Sequence, residues 1–302
     1  MTPLEVASGR LRLRVAPDVG ASIVDLSLER GGSLTPLLRR APEPLLRSSD
    51  AASFLLVPYS NRLRDGRFRF EGRSYELHHP KKDAIHGDVR DRSWQVTHCC
   101  DHGCTLSFDS RAFRDVHFPF PFLAEVSYRL ENGVFSNTLR VVNAGPTRMP
   151  AGLGFHPYFN RALGGAHEEV ELELAVRGVY PGSPELPALP IGPPVPPKPE
   201  QDFSKLRPLD VVLDDCFAGW DGHAEIRWPE SRVRLVMEAS AHLRHVIVYS
   251  PEGEPFFAVE PVSHANDGFN LLAAGQPGTG VVVLAAGESL EASFSLCVED
   301  FG

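Results

Sequence analysis

The chain has 302 residues, 42% of them hydrophobic and 23% charged, ordinary proportions for a globular protein long enough to bury a large core. A formal net charge of -9 argues against a nucleic-acid surface, which carries a basic excess, and against a substrate with several phosphates. Residues 1–17 hold no apolar stretch of signal-peptide length, no run nears the ~20 apolar residues of a membrane span, and five cysteines form no spaced framework, so reduced thiols in a cytoplasmic protein are expected.

Along the chain the dominant pattern has period two. Residues 11–15 alternate apolar and basic side chains, and residues 21–28 continue as a second strand. Residues 44–52 hold at most a turn or two of helix. Val126, Tyr128 and Leu130 face one way and Ser127 and Arg129 the other; residues 170–176 and 290–296 repeat the scheme, as half-buried antiparallel strands do. Residues 245–249 and 281–284 are more uniformly apolar and read as central strands. With 26 glycines and 27 prolines as punctuation, the chain is expected to be all-β: a large antiparallel β-sandwich forming one domain over residues 1–302. Nine prolines between residues 181 and 199 mark an extended surface loop inside that domain, since proline cannot donate to a sheet ladder.

Five stretches carry candidate chemistry. In Gly152-Leu153-Gly154-Phe155-His156-Pro157-Tyr158-Phe159-Asn160 the glycines permit backbone conformations other residues avoid, and Pro157 biases His156 towards extended backbone. That setting suits a proton-transfer group on the floor of a sugar pocket, and equally a core histidine at a strand end. Arg62, after Pro58-Tyr59-Ser60-Asn61, presents a planar fork of donors for sugar hydroxyls or a carboxylate, whereas Arg64 and Arg67 read as solvated strand residues. His86, in Ile85-His86-Gly87, is by itself a structural histidine. Asp214 and Asp215 either cap a turn or aim one carboxylate at a sugar stacked on Phe217 or Trp220. Glu260 ends an apolar strand, where a charge is costly unless paired or functional, and it can serve as a general base if a partner keeps it ionised. His98-Cys99-Cys100-Asp101-His102-Gly103-Cys104 holds metal-ligand types without two spaced Cys-x-x-Cys pairs, so a turn between strands is expected there and no metal. No Walker-type loop or Gly-x-Ser-x-Gly elbow occurs.

Taken together, Asn61-Arg62 with Gly66-x-Phe68, Gly72-x-x-Tyr75-x-Leu77, Ile85-His86-Gly87, Trp94-x-Val96, His156-Pro157-Tyr158-Phe159-Asn160, Asp214-x-x-Phe217 and Glu260-Pro261 with Asn270 resemble, in order, the aldose 1-epimerases (galactose mutarotases). The resemblance runs from about residue 10 to the end. It implies a galactose mutarotase-like supersandwich and cofactor-free interconversion of the α and β anomers of a free aldohexose. It also implies Glu260 as general base, His156 as general acid, His86 as second active-site histidine, and Arg62, Asn61 and Asp214 (or Asp215, one register on) as sugar-binding residues. Asp83, Ile85 and Arg161 depart from the family pattern and bear on sugar preference. The partner is a monosaccharide, with no nucleic acid or membrane, and the protein is a monomer or homodimer. Rival readings are a hexose 6-phosphate mutarotase, with Arg62, Arg64, Arg161 or Lys205 supplying the cation, a non-catalytic sugar-binding module, and a glycoside hydrolase using Asp214 and Glu260.

Overall fold

The computed structural model describes residues 2–77, 84–164, 168–183 and 186–301; Asp83 lies outside them. Half of the chain is strand and 6% helix, with two large antiparallel sheets, so the expected all-β sandwich is what forms. One sheet has nine strands in the order Gln95–Cys100, Gly103–Asp109, Phe122–Glu131, Val134–Asn143, Ser289–Asp300, Val233–Ala239, His223–Trp228, Glu171–Leu174 and Arg207–Pro208. The ten-stranded sheet runs Leu4–Ser8, Leu11–Ala16, Ser22–Arg30, Ser53–Leu56, Gly154–Asn160, Phe256–Val262, His245–Ser250, Leu213–Ala218 and Gly178–Val179, with Ser33–Pro36 added beside Ser22–Arg30.

The alternating runs place their apolar members between the sheets. Leu11, Leu13 and Val15 from one side and Val126, Leu130, Leu290 and Phe294 from the other join one continuous buried cluster. The buried Tyr128 hydroxyl ties the layers together by donating to the Ala21 carbonyl at 2.7 Å.

Several expectations are met and others corrected. Residues 245–249 do form a central strand, and the His98–Cys104 stretch is a hairpin turning at Asp101 and His102. Val282–Leu284 instead pairs only with Met149–Ala151 in a two-stranded ribbon: its valines are half-exposed. The helical expectation at residues 44–52 reduces to a single 3-10 turn, Ser48–Asp50. The proline-rich segment leaves and re-enters the ten-stranded sheet, but it is not wholly superficial. Ala188, Leu189 and Pro190 are buried. The Asn266 amide donates to the Ala188 carbonyl at 2.7 Å and Arg64 to the Pro190 carbonyl at 3.0 Å, so this stretch is held down rather than loose.

Candidate active site

The site is laid out by strand register. His156 pairs with Phe54, and Gly154 and Tyr158 pair with Val262 and Ala258, which sets His156 opposite Glu260. Glu260 pairs in turn with Ile247, and Ile247 with Cys216. Side chains alternate between faces along a strand, so Phe54, His156, Glu260, Ile247 and Cys216 form one row across the sheet. Tyr158, Ala258, Tyr249 and Asp214 form the next row. The residues between them, such as Phe155, Phe159, Phe257 and Val259, point into the core. The apolar members of the two rows make a second cluster, on the face turned away from the nine-stranded sheet. Pro157 and Pro261 sit beside the two key residues in the middle of this sheet, where proline is rare because it has no N–H for the ladder. Pairing between the two strands accordingly lapses after Gly154 and resumes at Tyr158.

His156 and Glu260 converge in direct contact. Nε2 lies 3.2 Å from Oε1, with the side chains only 6% and 2% exposed. Because the two groups touch, nothing fits between them. The imidazole stacks on Phe54 at 4.5 Å and lies 4.4 Å from the Tyr158 ring, while His86 meets it edge-on at 5.1 Å. Burial, followed by the field of Arg39, holds the His156 imidazolium well below its usual range. Burial, followed by the charge of Asp214, pushes the Glu260 carboxyl well above its own. Burial thus favours the neutral form of each partner over an ion pair between them. Burial, the neighbouring His156, Arg90 and Arg62 likewise keep His86 neutral. Glu260 Oε2, His156 Nδ1 and His86 Nδ1 are buried without a hydrogen-bond partner among the described residues. Three unsatisfied polar atoms so close together are costly to the fold unless a ligand or water completes them.

Around this floor the rim is half-buried. Asp214 sits on the site face, where burial raises its carboxyl and Arg62 partly offsets the rise. No hydrogen bond or ion pair within 4 Å joins the two side chains, so Arg62 acts on Asp214 only through its field. Asp215 points the other way and accepts from Gln201 at 3.0 Å, so the register question is answered in favour of Asp214. Asn61 turns its side-chain oxygen back onto the Arg62 amide at 2.8 Å and its carbonyl onto the His86 amide at 2.9 Å. It thereby fixes both neighbours from a left-handed conformation, φ 49°. Gly87, next to His86, is needed outright, since a Cβ there would lie 1.9 Å from the Val57 carbonyl oxygen. The glycine before the histidine strand has a different reason from the one expected: Gly152 makes room for His264, whose ring a Cβ would meet at 1.8 Å.

Other anticipated groups lie elsewhere. Phe217 and Trp220 are fully buried in the core, and the aromatic side chains of the site-face cluster are Phe54, Tyr158, Tyr180, Tyr249 and Phe256. Arg64 is in a 3-10 turn bound to Pro190 and near Asp267, not solvated on a strand, whereas Arg67 is an exposed strand residue. Arg161 is engaged by the Leu209 carbonyl and the Ser250 hydroxyl, and Lys205 is exposed. The cations whose fields reach His156 and His86 are Arg39, Arg62 and Arg90. Arg39 was not foreseen. Leu38 bridges Phe159, and the Arg39 amide donates to the Tyr158 carbonyl at 2.9 Å, so Arg39 extends the Tyr158 row on the same face. Its guanidinium carbon lies over the Tyr158 ring, 3.5 Å from the centroid.

The aldose 1-epimerase family profile matches residues 4–297. Two uncharacterised Escherichia coli K12 proteins are similar in sequence. YphB is 29% identical over 99% of both chains, and YihR is 27% identical over 74% of this chain and 75% of its own. Among solved structures, one from Escherichia coli K12, provisionally named aldose 1-epimerase, superposes with a TM-score of 0.85 at 27% identity over 99% of both chains. A galactose mutarotase-like protein from Clostridium acetobutylicum shares the fold with a TM-score of 0.84 at 21% identity, over 98% of this chain and 95% of its own. A single row of side chains joining a histidine to a glutamate, on a sandwich with these relatives, agrees with the ordered motifs of the sequence, and the chain belongs to the aldose 1-epimerase family.

Proposed function

We propose that the protein is a cofactor-independent aldose 1-epimerase, interconverting the anomers of an aldohexose through its open-chain aldehyde. The observation that supports this most directly is the buried His156–Glu260 contact at 3.2 Å, with Glu260 Oε2 left unpartnered among the described residues. The two oxygens that must exchange protons, the anomeric hydroxyl and the ring oxygen, are both bonded to C1. A side-by-side acid and base can serve them without flanking the sugar.

The pair holds one proton, which a 3.2 Å contact allows to sit on either partner. With that proton on His156 Nε2, Glu260 takes the proton of the anomeric hydroxyl while His156 gives its own to the ring oxygen. The C1–O5 bond breaks, C1=O1 forms, and the pair is left as neutral imidazole and protonated carboxyl. That is the arrangement burial favours. Rotation about C1–C2 and the reverse transfers close the ring on the other face. Proton transfer by each positioned group contributes ~10²–10⁴-fold. His86 donates to or accepts from a ring substituent, and Arg62 and Asp214 hold hydroxyls so that C1 meets the pair. Five free cysteines support a reducing, cytoplasmic setting, and no helix among the described residues is long and apolar enough to cross a membrane.

Anomer exchange followed by polarimetry or NMR tests the reading. Acceleration that disappears in Glu260→Gln and His156→Ala supports it; near-normal rates in either variant reject the assignment. Sugar binding without exchange indicates a binding module, and sugar release from an aryl glycoside indicates a hydrolase.

A further inference from the structure

The hairpin formed by Gln95–Cys100 and Gly103–Asp109 holds reactive side chains that the acid–base chemistry does not use. Its turn is Asp101 and His102; Cys100 pairs with Gly103, and Cys99 with Cys104. Directly opposed residues put their side chains on the same face of a sheet, so the Cys99 and Cys104 thiols are neighbours, while Cys100 belongs to the other face. The pairing is of the close kind. The Leu130 amide donates to the His102 carbonyl at 2.9 Å, which makes those two a hydrogen-bonded pair. Alternation along the ladder then has Cys104 exchange its backbone bonds with Tyr128, opposite it. Both backbone groups of Cys104 are thereby turned away from Cys99, and the two cysteines form a non-hydrogen-bonded pair. The Cα atoms of such a pair stand about 4.5 Å apart, inside the range of about 4.4–6.8 Å that a disulfide spans. Thr105 and Ser127, a non-hydrogen-bonded pair by the same count, bring their hydroxyls to 2.9 Å.

The two thiols differ in access. Cys99 is exposed on the outermost strand of the nine-stranded sheet, and Cys104 is buried at the margin of the core. An oxidant from solvent meets Cys99 first, with a second sulfur waiting beside it, as an attacking and a resolving cysteine are arranged. Among the described residues no group of histidine, cysteine and acidic side chains is placed to hold a metal ion, so these thiols are not spoken for in that way.

We propose that Cys99 and Cys104 are an oxidisable dithiol, closed by a hydroperoxide into a disulfide across the edge of the nine-stranded sheet. The Cys99 thiolate attacks one peroxide oxygen: an S–O bond forms, the O–O bond breaks, and the departing oxygen leaves as water after taking up a proton. The Cys104 sulfur, giving up its own proton, then attacks the Cys99 sulfur; the S–S bond forms and a second water leaves. Two thiols and one hydrogen peroxide thus give one disulfide and two waters, and a dithiol reductant reverses the change. The Asp101 carbonyl accepts from the Ala7 amide at 2.9 Å, so the tip of this hairpin ties the outermost strand of one sheet to that of the other. The bridge pins that seam. It shares no residue with the His156–Glu260 pair, and the inference stands apart from the epimerase reading.

Peroxide treatment of the reduced full chain tests it, followed by alkylation of the remaining thiols and cleavage before Asp101, which separates Cys99 and Cys100 from Cys104. Mass spectrometry should find the two fragments joined, lighter by two hydrogens than the free thiols, and parted by a dithiol reductant. The joined pair should persist in Cys100→Ser and be lost in Cys99→Ser, where the altered side chain is exposed. Hydrogen exchange over residues 95–109 should slow on oxidation of the unaltered protein and not of Cys99→Ser. Fragments that stay separate while Cys99 is recovered alkylated or as a sulfinic acid, a bond between Cys99 and Cys100 within one fragment, or joining that survives in Cys99→Ser overturns the inference.

Discussion

The two large sheets are built from the same kind of antiparallel strand, yet they bury it differently. In the nine-stranded sheet, Phe122–Glu131 and Ser289–Asp300 alternate between buried residues and more exposed ones, because one face meets the core and the other meets water. In the ten-stranded sheet, Ser53–Leu56 is buried throughout, and Gly154–Asn160 and Phe256–Val262 at all but one residue each. Both of its faces are covered, one by the core and one by the walls of the site. A histidine or glutamate in the first sheet can sit in solvent at no cost. In the second it must be neutralised, paired or kept for a ligand; burial pushes His156 and Glu260 towards their neutral forms, they touch at 3.2 Å, and each keeps one buried atom without a partner among the described residues.

The sharpest way to break this comparison is to change one residue on each side of it. Glu260→Gln should lower anomer exchange by ~10²–10⁴-fold. It should also leave the unfolding midpoint unchanged or slightly raised, since it removes a buried acid with a bare oxygen. Phe135→Ala, in the core of the nine-stranded sheet, should do the reverse. It should cost about 3–5 kcal/mol in a denaturant titration while exchange per folded molecule stays normal. If the glutamate variant unfolds and the phenylalanine variant loses turnover, the division of labour between the sheets is wrong.

Arg62→Ala and Asp214→Asn should each raise KM by about 10- to 100-fold, the worth of one charged hydrogen bond, with kcat less affected. Failure to fold would instead make these residues structural. The smallest effect is in pH. Burial depresses His86, His245 and His264, all packed against the ten-stranded sheet, the last two to about 4. Their unfolded forms take up a proton below about 6.5 while the folded forms do not. Stability is therefore complete above that pH and lost as pH falls, by about 1 kcal/mol per histidine between pH 7 and 5.5. Glu260, shifted the other way, opposes this trend, because a carboxyl protonated only in the folded state loses its contribution as pH rises through its folded range. Hydrogen exchange at pH 5.5 should show the ten-stranded sheet loosening first.

Much of this was legible in the chain. Alternation at residues 126–130 and 290–296 reports a solvent face, so those strands and the all-β sandwich could be read directly. His156 and Glu260 stood out because each is a polar residue beside a proline in an apolar run. What stayed hidden depends on pairing. The parity that puts Asp214 and not Asp215 on the site face exists only once Asp214 is registered against Tyr249. Residues 281–284 looked central because they are apolar, but an apolar run does not say how many neighbours it finds. Arg39 has no local signal at all: it reaches the site because residues 36–39 take over the edge of the His156 strand where Ser53–Leu56 ends. The directions of the His156 and Glu260 shifts were hidden too, since they come from burial that no single stretch encodes.

The stretch at Ala188–Pro190 hangs from two hydrogen bonds, one reaching it from Asn266 just past the glutamate strand and one from Arg64 just past Arg62. Its flanks leave and rejoin the scaffold through short strands that carry none of the acid–base machinery. Length or sequence there can consequently be traded between relatives, or redrawn by a designer, while the strand register that brings His156 to Glu260 keeps its alignment.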